Sequence, residues 1–125
     1  MIVGVGIDIV RVDRIERAMS RWGGRFLARV FTPGERRYCD EHTESAVRYA
    51  ARFAVKEAVF KALGRGRGDC GGFTSVEVER EKSDRPFVVL SGRAREYAAG
   101  MGVVNVHVSL THDAGVAAAV AVIEA

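Results

Sequence analysis

The sequence predicts an α+β domain in which an antiparallel sheet packs on one long helix, and three observations lead there. The chain opens on a strand pattern, with Val3, Val5, Ile7 and Ile9 alternating against Gly4, Gly6 and Asp8. An alanine-rich helical pattern fills the middle, from about Glu44 to Leu63, and stops at Gly64. Two more alternating runs close the chain, Val103 to Thr111 and Gly115 to Ile123. The 125 residues suffice for one domain with its own core, residues 1–125, and contain no internal repeat or linker.

Taken in order, Ile2 to Val10 reads as the first strand, and its two glycines leave room beside the backbone. Gly4-x-Gly6 is not a dinucleotide fingerprint, because the third glycine is missing. Val12 to about Arg21 predicts a helix with Asp13 at its start and Val12, Ile15 and Met19 turned to the core. Trp22-Gly23-Gly24 breaks it, and Arg25 to Val30 predicts a second short helix. Thr32-Pro33-Gly34-Glu35 is a capping box with proline at the first helical position. In the long helix, Phe53, Glu57 and Phe60 share one face.

Beyond Gly64 comes a glycine-rich loop with Arg65 and Arg67, able to wrap a phosphate closely with its backbone N–H groups. Phe73 to Glu79 predicts a strand, Pro86 opens another through Leu90, and Ser91 to about Met101 a helix. In the strand from Val103, the residues Asn105, His107, Ser109 and Thr111 share a polar face. Such a face suits an active-site wall or a wet interface. His112-Asp113 reads as the turn into the last strand.

Composition narrows the class. Apolar residues make up 48% and charged residues 28%, ordinary for a soluble chain. No apolar run has the length to span a bilayer, and the apolar start runs into Asp8 without a basic leader. Cys39 and Cys70 form no CxxC pair, so neither a disulfide framework nor a thiolate metal site is indicated, and a cytoplasmic protein is expected. Arg11 to Arg37 holds eight arginines against three acids, a local charge of +5 in a chain of net +3. An acidic protein or a phosphorylated small molecule would answer that charge. No zinc finger, KH-type loop or RNP-like motif supports nucleic acid.

A carboxylate set between two phenylalanines is costly unless a metal ion, a cation or a tight hydrogen-bond set offsets it. Glu57 is so placed, Lys61 follows one turn later, and Asp8 projects from the glycine face of the first strand. Two carboxylates suit a hard divalent ion, chiefly Mg²⁺ with Mn²⁺ as the alternative, whose shell water and phosphate oxygens complete. Lys61 suits a phosphate oxygen, and His107 suits proton transfer near neutral pH. The set Asp8, Glu57, Lys61, His107 and the glycine loop is equipment for transfer at phosphorus.

Three motifs carry a family resemblance. They are Gly6-Ile7-Asp8-Ile9-Val10, Lys56-Glu57-Ala58-Val59-Phe60-Lys61-Ala62-Leu63-Gly64 and His107-Val108-Ser109-Leu110-Thr111-His112. In spacing and joint presence the whole chain resembles the bacterial holo-(acyl-carrier-protein) synthases, the short 4′-phosphopantetheinyl transferases. The resemblance implies that family's fold and its reaction, transfer of 4′-phosphopantetheine from coenzyme A to a serine of apo-acyl carrier protein. Asp8 and Glu57 would hold the metal, and Lys61 would contact the pyrophosphate. A metal-bound water, Glu57 or His107 would take the serine proton. Asp8, Arg52, Lys61, Gly64, Gly66, Arg85, Pro86, Ser109 and Thr111 would meet coenzyme A. Arg65, standing where relatives carry a small hydroxyl residue, would add a phosphate contact. Arg14, Arg21, Arg25 and Arg29, with Phe26 as an apolar contact, would hold the acidic carrier protein. Relatives are homotrimers that share each site between neighbours, and the same is expected here.

Overall fold

The computed structural model describes Met1 to Ala125. Strand β1 (Ile2–Arg11) leads into helices α1 (Val12–Trp22), α2 (Gly24–Val30), α3 (Pro33–Asp40) and the long α4 (Ser45–Leu63). After the glycine loop come a hairpin of β2 (Val76–Arg80) and β3 (Pro86–Leu90), helix α5 (Gly92–Gly100), and strands β4 (Asn105–Asp113) and β5 (Val116–Glu124). The predicted single sheet is two. β1, β5 and β4 form an antiparallel sheet with β5 in the middle, while β2 and β3 pair only with each other.

Side-chain size decides how helix and sheet meet. Ala50, Ala54, Ala58 and Ala62 recur every four residues and are all buried. The sheet answers with Gly4, Gly6, Ala117, Ala119 and Ala121, so α4 lies close against β1 and β5. A Cβ on Gly6 would overlap the carbonyl oxygen of Ala58, and one on Gly4 that of Ala62. The larger apolar residues of β1 are therefore left on the outer face, where Val5, Ile7 and Ile9 are 61–69% exposed.

The capping box forms as predicted. The Glu35 N–H donates to Thr32 Oγ1 at 3.2 Å, and the Thr32 N–H donates to Glu35 Oε1 at 2.8 Å. The box does more than cap. Glu35 is buried, and its Oε1 also accepts from Lys56 Nζ at 2.8 Å while its Oε2 accepts from the Val78 N–H at 2.7 Å. Lys56, fully buried, donates further to the carbonyls of Phe73 (3.1 Å) and Val76 (2.6 Å). One ion pair thus joins α3, α4 and the hairpin.

Two local expectations are corrected. Phe73 to Ser75 is a 3₁₀ turn before β2, which lets Phe73 turn into the core instead of following the glutamates of the strand. The β4–β5 turn is Ala114-Gly115, both left-handed (φ 51° and 77°), so His112 and Asp113 stay in β4. No helix is long and apolar enough to cross a membrane.

Candidate active site

The site grows from the end of α4. Gly64 takes φ 71°, and the N–H groups of Gly64 and Arg65 close the helix on the carbonyls of Lys61 and Phe60, both at 3.1 Å. The chain then leaves as the glycine loop. On the neighbouring strand, the small Gly4 and Gly6 bring β1 so near that Asp8 falls beside the last turns of α4. Lys61 Nζ donates to Asp8 Oδ1 at 3.1 Å and to the Ile7 carbonyl at 3.0 Å.

Glu57 completes the group. Phe53 and Phe60 flank it on α4 and pack on Phe73 with ring centroids 5.4 and 6.0 Å away. Burial raises the Glu57 pKa above the ordinary 4.5 and the Asp8 carboxylate raises it further, while Arg67, Lys61 and Arg14 pull it back. Two carboxylates thus share one neighbourhood with three cations. Arg14 and Arg67 are held over phenylalanine rings, Arg14 5.8 Å from the centroid of Phe53 and Arg67 5.0 Å from that of Phe73. A cavity of about 270 Å³ opens here, lined by Glu57, Phe60, Lys61, Gly64, Arg65, Gly66 and Arg67.

The Asp8–Glu57 pair could hold a hard divalent cation. No third acidic, histidine or cysteine side chain joins them, and Mg²⁺ needs none, since one or two carboxylates suffice beside water and substrate phosphates. A cation there would also relieve the repulsion that Asp8 exerts on Glu57. A wider groove, about 750 Å³ between the start of α1 and the β4–β5 turn, is lined by Asp13, Glu16, Glu44, His112 and Asp113 among others. This groove lies apart from Glu57 and Lys61, which line the smaller cavity.

The other sequence-assigned residues lie elsewhere. His107, Ser109 and Thr111 stand on the outer face of the sheet, opposite the face that carries α4 and Asp8, because β4 pairs in register with the outward residues Val122, Val120 and Ala118. Within one chain His107 is therefore not part of the Asp8–Glu57–Lys61 group. Its Nε2 lies 3.0 Å from Glu124 Oε1, which also accepts from Asn105 Nδ2 at 3.1 Å. These hydrogen bonds, His107 first, lower the Glu124 pKa.

Arg52 does not line an open channel in this chain. It is 1% exposed and stacks on Tyr38 at 4.0 Å, with Nε and Nη1 lacking hydrogen-bond partners. Arg85 and Pro86 follow the hairpin turn, where Asp84 takes a left-handed φ of 67° and its carbonyl accepts from Arg80. Arg80 reaches the same Tyr38, so this turn belongs to the α3 side of the molecule. Arg65 stacks on Tyr97 at 4.8 Å. The loop arginine whose charge acts on Glu57 is Arg67, one of the two that the glycine loop offers to a phosphate. Only its position in a basic glycine loop hinted at it.

On α1 and α2 the basic side chains stand outward. Arg14, Arg21, Arg25 and Arg29 are exposed, and Phe26 is half-buried, edge-on to Phe31 at 6.2 Å. Arg14 ties this surface to the site, since its guanidinium lies over Phe53, which flanks Glu57 on α4.

Known proteins share this sequence pattern and fold. A profile of the 4′-phosphopantetheinyl transferase superfamily matches residues 4–121. The holo-(acyl-carrier-protein) synthase of Anaeromyxobacter sp. (strain K) is 49% identical over 127 aligned residues, covering 99% of this chain and 97% of that protein. The crystal structure of the synthase from Neisseria meningitidis superposes with a TM-score of 0.92 at 28% identity, over the full length of both chains. That of the Helicobacter pylori synthase in complex with coenzyme A superposes at 0.85 with 33% identity, covering 96% of this chain and 99% of the other.

Proposed function

The chain belongs to the holo-(acyl-carrier-protein) synthases of the 4′-phosphopantetheinyl transferase superfamily, and on that premise we propose how its side chains divide the work. The reaction is transfer of 4′-phosphopantetheine from coenzyme A to a serine hydroxyl of apo-acyl carrier protein, with release of adenosine 3′,5′-bisphosphate. The observation that carries the assignment is that Asp8 holds Lys61, which lines with Glu57 the cavity where α4 ends.

The serine oxygen attacks the phosphorus that bears pantetheine. The bond from that phosphorus to the bridging oxygen of the pyrophosphate breaks, and adenosine 3′,5′-bisphosphate departs with the electron pair. Lys61 is anchored by Asp8 and the Ile7 carbonyl, so its ammonium waits at a fixed place to meet the developing charge. Arg67, resting on Phe73, adds a second cation, and Gly64 and Gly66 let the pyrophosphate lie close to the backbone. A divalent cation held by Asp8 and Glu57, Mg²⁺ or Mn²⁺, would draw charge from the phosphate oxygens. Glu57, which lines the cavity, also takes the serine proton.

The outer sheet face supports assembly. Val5, Ile7 and Ile9 present an apolar strip beside the polar stripe of Asn105, His107, Ser109 and Thr111. A homotrimer packed through these faces would cover the strip. It would carry His107, Ser109 and Thr111 of one copy toward the cavity of the next, where they would meet coenzyme A. The basic face of α1 and α2 would receive the acidic carrier protein, bringing its serine past Arg14.

Intact-mass spectrometry of apo-acyl carrier protein incubated with the chain, coenzyme A and Mg²⁺ tests the reading. A gain of one phosphopantetheine group, absent with EDTA and with Glu57→Ala, is the expected result. Carrier modification that survives both would remove Glu57 and the cation from the mechanism.

A further inference from the structure

Trp22 is the only tryptophan of the chain, and it is 52% exposed. It ends α1, immediately before Gly23 turns the chain with φ 54° into α2. An isolated exposed apolar residue needs no explanation, but this one is not isolated. Arg21 lays its guanidinium over the indole at 4.9 Å. Arg21 returns to the face of Arg14 after two helical turns, and Arg14 lies over the ring of Phe53, one turn before Glu57 on α4, 5.8 Å from its centroid. Arg25, Phe26 and Arg29 follow directly on α2. The surface that runs outward from the catalytic cavity therefore carries an exposed indole within a field of arginines. Protein interfaces concentrate their binding energy in tryptophan and arginine, and the positive segment selects an acidic partner.

We propose that Trp22 is an apolar anchor for the carrier protein, buried against it when the serine enters the site. The proposal rests on the carrier-binding reading above and assigns it a residue. Arginines guide an acidic protein from a distance, and salt weakens their pull. They do not alone fix its depth or register. An indole at the far end of the basic stripe does, because it must find an apolar recess on the partner before its area is covered. Trp22 lies eight residues beyond Arg14, roughly 12 Å along the helix axis. A partner that covers both spans the distance from the catalytic mouth to the α1–α2 corner, which holds it by two points rather than one.

The single tryptophan makes the test direct. A tryptophan-free apo-carrier protein is titrated into the chain while indole emission is followed, and Trp22→Ala and Trp22→Phe are assayed for both substrates. Emission should move to shorter wavelength on binding. Trp22→Ala should raise KM for the carrier about tenfold, with kcat and KM for coenzyme A unchanged, and Trp22→Phe should recover most of the loss. At roughly 0.5 M salt the penalty of Trp22→Ala should persist, while that of Arg25→Ala should shrink. Carrier turnover with unmoved emission and an unchanged carrier KM in Trp22→Ala overturns the anchor but leaves the carrier surface standing. An unchanged carrier KM in Arg14→Ala, Arg21→Ala and Arg25→Ala as well overturns the carrier surface itself.

Discussion

Glu57 is a residue whose environment works against its own charge. Burial and Asp8 raise its pKa above that of an exposed glutamate. A carboxyl raised on folding lowers stability as pH climbs through the interval between its unfolded and folded values. Glu57→Gln, which never ionises, should therefore have a higher Tm than the natural chain at neutral pH. The gap should close as pH falls through that interval, and calorimetry across pH reads it. The same variant should lose about 10²-fold or more in carrier modification, so stability and activity part company at one side chain. Mn²⁺ affinity should also fall off at a higher pH than for an ordinary carboxylate site, because Glu57 takes its proton early. Gly6 is the second telling residue. Gly6→Ala drives a methyl into the Ala58 carbonyl, and denaturant unfolding should show a loss of about 1–3 kcal/mol. A neutral effect would mean that β1 and α4 are less closely packed than described.

At the scale of elements, the Lys56–Glu35 pair decides how the α3–hairpin layer attaches to α4. Glu35 has its two oxygens committed to three donors, the N–H groups of Thr32 and Val78 and the ammonium of Lys56. Lys56 has its three protons on Glu35 and two carbonyls. Burial lowers the Lys56 pKa, and Glu35 works against that shift. Such a pair is costly to break on one side only. Lys56→Met should lower stability by about 3–5 kcal/mol, read from denaturant midpoints. Adding Glu35→Gln to it should cost less than the sum of the two single changes. Because the Phe73 carbonyl is one of the acceptors, the change should also loosen the ring on which Arg67 rests and raise KM for coenzyme A. A stability loss with KM unmoved would confine the pair to the scaffold.

For the whole molecule, the decisive feature is a sheet with large apolar residues on its outer face and glycine and alanine on its inner one. Ile7→Asp should keep the fold, since the side chain is 69% exposed in one chain. It should yield a monomer by sedimentation, with carrier modification lost if the neighbour's His107 face completes the site. An Ile7→Asp chain that assembles and turns over like the natural one would place assembly on another surface.

Much of this was legible in the sequence because it depends on local rules. The capping box at Thr32, the stop at Gly64 and the alternation of β1 follow from periodicity and caps, whereas the meeting of Asp8 with the Lys61 end of α4 is implied by the family resemblance alone. Periodicity places residues on faces but does not say which face is inside. The first strand shows it: Val5, Ile7 and Ile9 form the apolar side, yet Gly4 and Gly6 face the helix, because close approach to an alanine stripe outweighs the burial of three large side chains. The same limit separated His107 from Glu57, since both faces of β4 were plain but not which one α4 would cover. Arg52 and Lys56 read as ordinary charges of a helix until the packing of α3 and the hairpin enclosed them. Arg65 and Arg67 are equivalent in a flexible-looking loop, and only the rings of Tyr97 and Phe73 tell them apart. The residues of the site were thus written in the chain, while their company was decided by tertiary packing, where side-chain volume and the pairing of buried charges select one arrangement among those that local pattern allows.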